Sequence, residues 1–240
     1  MAEIKKILIA NRGEIVQRAI RTIREMGKKS VAVYSAGDKN ASYLKHADEA
    51  VCIGGAKSSE SYLNIPAIIT AAEMTGCDAI FPGYGFLSEN QDFVEICRLH
   101  NIKFIGPSVE VMEKMADKSK AKEEMIRAGV PVVPGSKGSV HSVTEGRKVA
   151  LEIGYPIMAK AAAGGGGRGM RLIKEESEFD QLFMAASSEA LAAFGDGTMY
   201  LERFINNPRH IEVQVVGDSH GNAIHIGERD CSLQRRHQKV

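Results

Sequence analysis

Short apolar runs alternate with helically spaced apolar positions through the first part of the chain, and that alternation narrows the possible folds more than any other feature. Residues 6–10 (Lys-Ile-Leu-Ile-Ala) read as a short buried strand. Ile15, Ala19, Ile20 and Ile23 then recur at helical spacing, and Gly27 stands where that helix would end. Residues 31–34 and 50–53 read as the next two strands, 65–75 as a helix ending near Gly76, 79–81 as a strand, 93–99 as a helix and 103–105 as a strand. Strands joined through helices imply a parallel sheet covered on both faces. Ligands of such sheets gather beyond the carboxyl ends of the strands. Two unusual turns stand at such ends, Asn11-Arg12-Gly13-Glu14 and residues 82–90, Pro-Gly-Tyr-Gly-Phe-Leu-Ser-Glu-Asn. The first lacks G-x-G-x-x-G, so a dinucleotide fingerprint is absent.

The second part changes pattern. Two short helical segments, about 109–115 and 118–128, are stopped by Gly129-Val130-Pro131, and the turn-rich residues 134–139 read as a linker or domain entry. A helix (143–153), a strand, a glycine loop, a strand, a helix (175–193) and a strand (199–204) then make a compact α+β module. Residues 211–216 and 223–228 read as a hairpin turning at 217–222, and a cluster of polar residues with a final valine follows.

Lys160 ends the apolar run Pro156-Ile157-Met158-Ala159, and Gly164 to Gly167 follow closely. Residues 168–173 look like the returning strand. Glycine lets successive backbone N–H groups converge on an anion, and Lys160 and Arg168 give the loop a charge that suits a polyphosphate. A loop between two strands is neither a Rossmann turn nor a Walker loop, since both of those open a helix. Taken alone, the same glycines also describe a flexible hairpin tip.

Composition removes several classes. The 240 residues carry 31 Lys+Arg against 30 Asp+Glu, a net charge of +1, which favours neither a nucleic-acid surface nor an acidic-partner trap. No apolar run approaches the roughly 20 residues of a membrane span, and the N-terminal residues lack a signal-peptide pattern. Cys52, Cys77, Cys97 and Cys231 are scattered without metal-ligand spacing. The expectation is a cytoplasmic protein with reduced, mostly buried thiols.

Taken with the glycine loop, four further segments carry a resemblance: Asn11-Arg12-Gly13-Glu14-Ile15, residues 82–90, Asn207-Pro208-Arg209-His210-Ile211-Glu212, and residues 228–239 (Glu-Arg-Asp-Cys-Ser-Leu-Gln-Arg-Arg-His-Gln-Lys). In their order and spacing the chain resembles biotin carboxylase, the ATP-grasp ligase component of bacterial acetyl-CoA carboxylase. It is similar as well to the matching domain of pyruvate and propionyl-CoA carboxylases. The resemblance runs through all 240 residues and covers about the first half of such an enzyme. It implies a Rossmann-like parallel-sheet domain over residues 1–116, then a partial ATP-grasp fold over 117–240 with a glycine-loop lid at about 133–204.

It also implies roles. Lys118 and Lys160 match phosphate-binding lysines, and Gly166 and Gly167 the loop glycines whose amides cover the phosphates. Ala163 departs from the family, where another glycine is common, and implies slightly reduced loop freedom. Glu202, Arg203, Phe204 and Ile205 match the segment that binds adenine partly through backbone groups, with Arg203 in place of the commoner lysine. His210 and His237 match nucleotide-contacting positions, Lys239 the bicarbonate lysine, and Tyr84 and Gly85 the region lining the biotin pocket. No metal ligand is implied among these residues; those for Mg2+ are expected beyond residue 240.

The activity implied is ATP-dependent carboxylation of biotin by bicarbonate through carboxyphosphate, the first half-reaction of acetyl-CoA carboxylase, in fatty acid synthesis. Biotin would arrive on a biotin carboxyl carrier protein and the product pass to a carboxyltransferase. The full-length protein would form a homodimer, to which Arg21 and Glu25 on the first helix belong unless they are a plain surface pair. The 240 residues by themselves are expected to be inactive. Other readings are the same domain of another biotin-dependent carboxylase, a non-catalytic nucleotide-binding fragment, or another ATP-grasp ligase such as carbamoyl-phosphate synthase.

Overall fold

The computed structural model describes residues 3–116, 118–162, 169–235 and 238–239, and the chain divides into two compact units, Met1–Gly129 and Val130–Val240. In the first unit the strands are β1 (Lys6–Ile9), β2 (Lys29–Tyr34), β3 (Glu49–Cys52), β4 (Ala79–Phe81) and β5 (Lys103–Phe104). The helices are α1 (Glu14–Glu25), α2 (Ile65–Met74), α3 (Gln91–Leu99), α4 (Val109–Ala116) and α5 (Lys118–Arg127). All strand pairs are parallel, in the order β3-β2-β1-β4-β5.

Both faces of this sheet are buried, as the alternation of strand and helix requires. Leu8, Val31, Val33 and Ile80 point into one cluster with Ile68 of α2 and Phe93 of α3. Ile7, Ile9, Ala32 and Ala79 point into the other with Val16, Ile20 and Ile23 of α1. Asn64 and Asn90 cap α2 and α3 by accepting from Ala67 N–H and Phe93 N–H. Gly27 and Gly76 take left-handed φ just past α1 and α2. The chain starts in the middle of the sheet, builds outward through β2 and β3, then returns to place β4 on the other side of β1. The ends of β1 and β4 therefore flank the point where the winding reverses.

The second unit contains α6 (Val143–Ile153), β6 (Ile157–Ala161), β7 (Met170–Ile173), α7 (Phe179–Phe194) and β8 (Met199–Arg203). Its sheet is antiparallel, ordered β7-β6-β8. Ile157, Ala159, Ile173, Met199 and Leu201 pack with Ala150 of α6 and with Phe179, Phe183, Ala186 and Ala190 of α7. Gly146 lets α6 close on that aromatic pair, since a β-carbon there would fall 2.9 Å from Phe179 Cζ. The helix expected over 175–193 starts later: Glu176–Glu178 form a 3-10 turn, and α7 runs from Phe179, where the apolar face begins. A separate antiparallel hairpin pairs β9 (Ile211–Gly217) with β10 (Ala223–Asp230), with a register shift between His225 and Glu228. The polar end, for which the sequence predicts no element, contains one more pairing, β11 (Gln234–Arg235) with β12 (Gln238–Lys239). Thiols depart from expectation in part: Cys77 and Cys97 are buried, Cys231 is half-buried and Cys52 is exposed.

Candidate functional site

Among the described residues, helices pack on one face only of the β7-β6-β8 sheet. Period-two alternation turns Met158, Lys160, Leu172, Tyr200 and Glu202 away from α6 and α7, and all five are only half-buried. Lys160 Nζ donates to Glu202 Oε2 at 2.5 Å, across two strands in which Lys160 stands opposite Tyr200 and Met158 opposite Glu202. The two side chains keep 42% and 33% of their surface exposed, so this ion pair is within reach of solvent. A cation held on an open sheet face offers an anion a fixed partner.

The segment after Glu202 is anchored by its own backbone. Arg203 N–H donates to Pro134 O at 2.8 Å and Phe204 N–H to Pro156 O at 2.9 Å. A planar heterocycle read here would therefore use carbonyl oxygens or the N–H of Ile205, whose side chain is 48% exposed. Arg203's side chain turns elsewhere: its Nη1 donates to Ile153 O at the end of α6, over Gly154, where a β-carbon would lie 2.6 Å from it. It closes a helix terminus.

His210 precedes β9 and is exposed; its Nδ1 lies 3.0 Å from Gln234 Nε2, and its N–H donates to Ser232 Oγ. Pro208, Arg209, His210, Ile211, Ser232 and Gln234 line a cleft of about 520 Å3. Gln234 was not singled out in the sequence; it stands in the quoted 228–239 segment, but no spacing pattern marks it.

In the first unit both unusual turns meet at the reversal point. Asn11 is 3% exposed, and its Nδ2 donates to Pro82 O and Tyr84 O, each at 2.8 Å. Tyr84 is exposed and donates its hydroxyl to Glu14 Oε1 at 2.6 Å, which raises its pKa. Arg12 forms a two-pronged pair with Asp38, through Nε at 2.9 Å and Nη2 at 2.6 Å. Tyr62 and Ser35 hydroxyls donate to the same carboxylate. The Arg12 hydrogen bonds come first among the causes that hold Asp38 down at about 2, followed by burial, which opposes them, and then Tyr62 and Ser35.

The anticipated residues fall as follows. Lys160 and Glu202 to Ile205 share the β7-β6-β8 sheet and its exit, His210 lies beside β9, and Tyr84 and Gly85 belong to the first unit. Lys118 is the first residue of α5, and Lys239 is in β12. Gly166, Gly167 and His237, with Ala163 and Arg168, lie outside the described residues. Arg21 and Glu25 approach at 3.9 Å as an exposed pair on α1. Among the described residues no group of three or more His, Cys, Asp or Glu gathers to hold a metal, and no helix is long and apolar enough to cross a membrane.

Comparison with known proteins adds a second line. Residues 3–112 match the family described as biotin carboxylase, N-terminal domain. Residues 117–240 match that of the carbamoyl-phosphate synthase L chain, ATP binding domain. The chain is 59% identical over 235 residues to a biotin carboxylase of Nostoc, with 98% of this chain and 53% of that protein covered. A crystal structure of the biotin carboxylase–beta-gamma-ATP complex from Campylobacter jejuni superposes with a TM-score of 0.81 at 68% identity, over 99% of this chain and 53% of that one. The biotin carboxylase domain of a thermophilic 2-oxoglutarate carboxylase bound to bicarbonate gives a TM-score of 0.91 at 48% identity, over 100% and 52%. The chain thus spans about half the length of the curated relatives it matches.

Proposed function

The chain belongs to the biotin carboxylase family, and from that membership we propose that it supplies the N-terminal domain and part of the ATP-grasp fold to an ATP-dependent ligase that carboxylates biotin. The observation that supports the reading is the open face of the β7-β6-β8 sheet, where Lys160, just ahead of the glycine run in the sequence, pairs with Glu202. Lys118 and Lys160 bind phosphates, Gly166 and Gly167 cover them, and Glu202 to Ile205 read the adenine edge chiefly through backbone. His210 and His237 contact the nucleotide, Lys239 holds bicarbonate, and Tyr84 and Gly85 line the biotin pocket. The division into residues 1–116 and 117–240, with the lid over 133–204, belongs to the same proposal. So do a cytoplasmic location, a homodimer of the full-length enzyme, and service of a biotin carboxyl carrier protein and a carboxyltransferase in acetyl-CoA carboxylation.

The chemistry follows from two weak reactants. Bicarbonate is a poor electrophile and the biotin ureido nitrogen a poor nucleophile, so ATP phosphorylates bicarbonate and the resulting carboxyphosphate delivers CO2 beside biotin. The lysines act by position and charge on a phosphoryl transfer that needs little else from a protein. A lid that excludes water keeps the intermediate from hydrolysis. Mg2+ would neutralise phosphate charge, and none of the described residues is assigned to it.

The test uses a protein of the relatives' length carrying this chain. Biotin-stimulated, bicarbonate-dependent ATP cleavage is the expected activity, and Lys160→Met raises the KM for ATP about tenfold or more. The 240 residues by themselves show no such cleavage. Absence of biotin stimulation, with carbamoyl phosphate formed instead, would move the protein to the other ATP-grasp branch.

A further inference from the structure

The turn Asn11-Arg12-Gly13-Glu14 marks the family in the sequence, yet no role above uses it. The structure assigns it one: we propose that this turn is a clamp that positions Tyr84, with Glu14 as a positioning residue for the biotin pocket. The inference rests on the proposed biotin carboxylation and names residues beyond those that touch the substrate.

The clamp is built from both ends of one side chain. Asn11 is buried with two amide protons, and both are spent on carbonyls two residues apart, Pro82 O and Tyr84 O. Its own Oδ1 accepts from Arg12 N–H at 2.8 Å, so every polar atom is satisfied within the two turns. An aspartate could not replace it, because both outer partners are acceptors. Gly83 completes the fit with φ of +66°, and a β-carbon there would stand 2.9 Å from Asn11 Nδ2. Ala10 N–H donates to Phe81 O just before the turns part. The backbone of Tyr84 is thereby fixed to the end of β1.

The ring is held separately. Gly13 takes φ of 75° immediately before α1, which places Glu14 in the helix's first turn, where its carboxylate accepts from the Tyr84 hydroxyl. Arg12, between the two contacts, fastens the turn to Asp38 on the far side. Tyr84 is thus gripped at its carbonyl and at its hydroxyl by residues three apart on one loop, although 62% of it faces solvent. An exposed tyrosine held at both ends keeps one orientation for whatever meets its face.

The experiment measures steady-state KM values for free biotin and for ATP in the longer enzyme. Glu14 is exposed, so Glu14→Ala should fold. The expected result is a rise of about five- to tenfold in the KM for biotin, with the KM for ATP changed less than about twofold. Glu14→Gln, which keeps an acceptor oxygen, restores the biotin KM to within about twofold. Tyr84→Phe added to Glu14→Ala brings no further loss, because the two changes break one contact. An unchanged biotin KM, a parallel rise in both KM values, or full additivity of the two changes would overturn the clamp while leaving biotin carboxylation intact. An unsubstituted enzyme without biotin-dependent turnover would defeat the functional reading itself, and the clamp with it.

Discussion

The β1–β5 sheet and the β6–β8 sheet bury their side chains by different rules, and each rule decides where chemistry can sit. Parallel strands return through crossover helices, so the first sheet is covered on both faces and keeps its polar groups at the strand ends. The second sheet is antiparallel, and its two helices, α6 and α7, pack into one cluster on a single face. Its other face carries Lys160 and Glu202 in the open. The first sheet offers a rim, the second a floor.

Neighbouring substitutions on one strand break or sharpen that contrast. In β1, Leu8 and Ile9 face opposite clusters and are both 0% exposed. Leu8→Ala and Ile9→Ala should each cost about 2–5 kcal/mol in denaturant unfolding. In β6, Ile157→Ala should cost the same, while Met158→Ala, one residue along, should cost less than about 1.5 kcal/mol. Equal losses at Ile157 and Met158 would mean that the β7-β6-β8 sheet has no open face.

Next in size is the pH response of the rim. Asp38 is held at about 2, below its ordinary 3.8, so its pairing stabilises the fold above the unfolded pKa and that contribution is lost as pH falls from about 4 to 2. Asp38→Asn should cost about 1–2 kcal/mol near neutral pH, and its stability curve should meet the unsubstituted one near pH 2. Parallel curves across that range would remove the network from the account. The smallest effect belongs to the floor: Glu202→Gln, breaking a solvent-accessible pair, should change unfolding free energy by no more than about 1 kcal/mol. A larger loss would make the pair part of the fold's support.

Strand and helix order was legible because apolar spacing reports burial directly: residues 79–81 and 143–153 fall where β4 and α6 do. Where local chemistry competes with that pattern, legibility fails. Glu176 and Glu178 continue a helix-like composition without supplying an apolar face, so the turn there tightens before Phe179 opens α7. The β11–β12 pairing joins polar residues that carry no periodic signal. The site divides along the same line. Lysines beside glycines could be picked out, but the Lys160–Glu202 partnership spans 42 residues of chain. Asn11's hold on Pro82 and Tyr84 joins positions 71 and 73 residues away. Such contacts exist only once the strands have found their register.

The β9–β10 hairpin has a practical consequence. Ile211, Val213, Val215, Ile224 and Ile226 are between 44% and 67% exposed, so branched hydrocarbon meets water along both of its strands. Such ribbons recruit further strands from neighbouring molecules. The irregular register at His225 and the Arg229–Glu212 pair interrupt that stickiness only near one end. At high concentration, self-association is expected to begin along this ribbon.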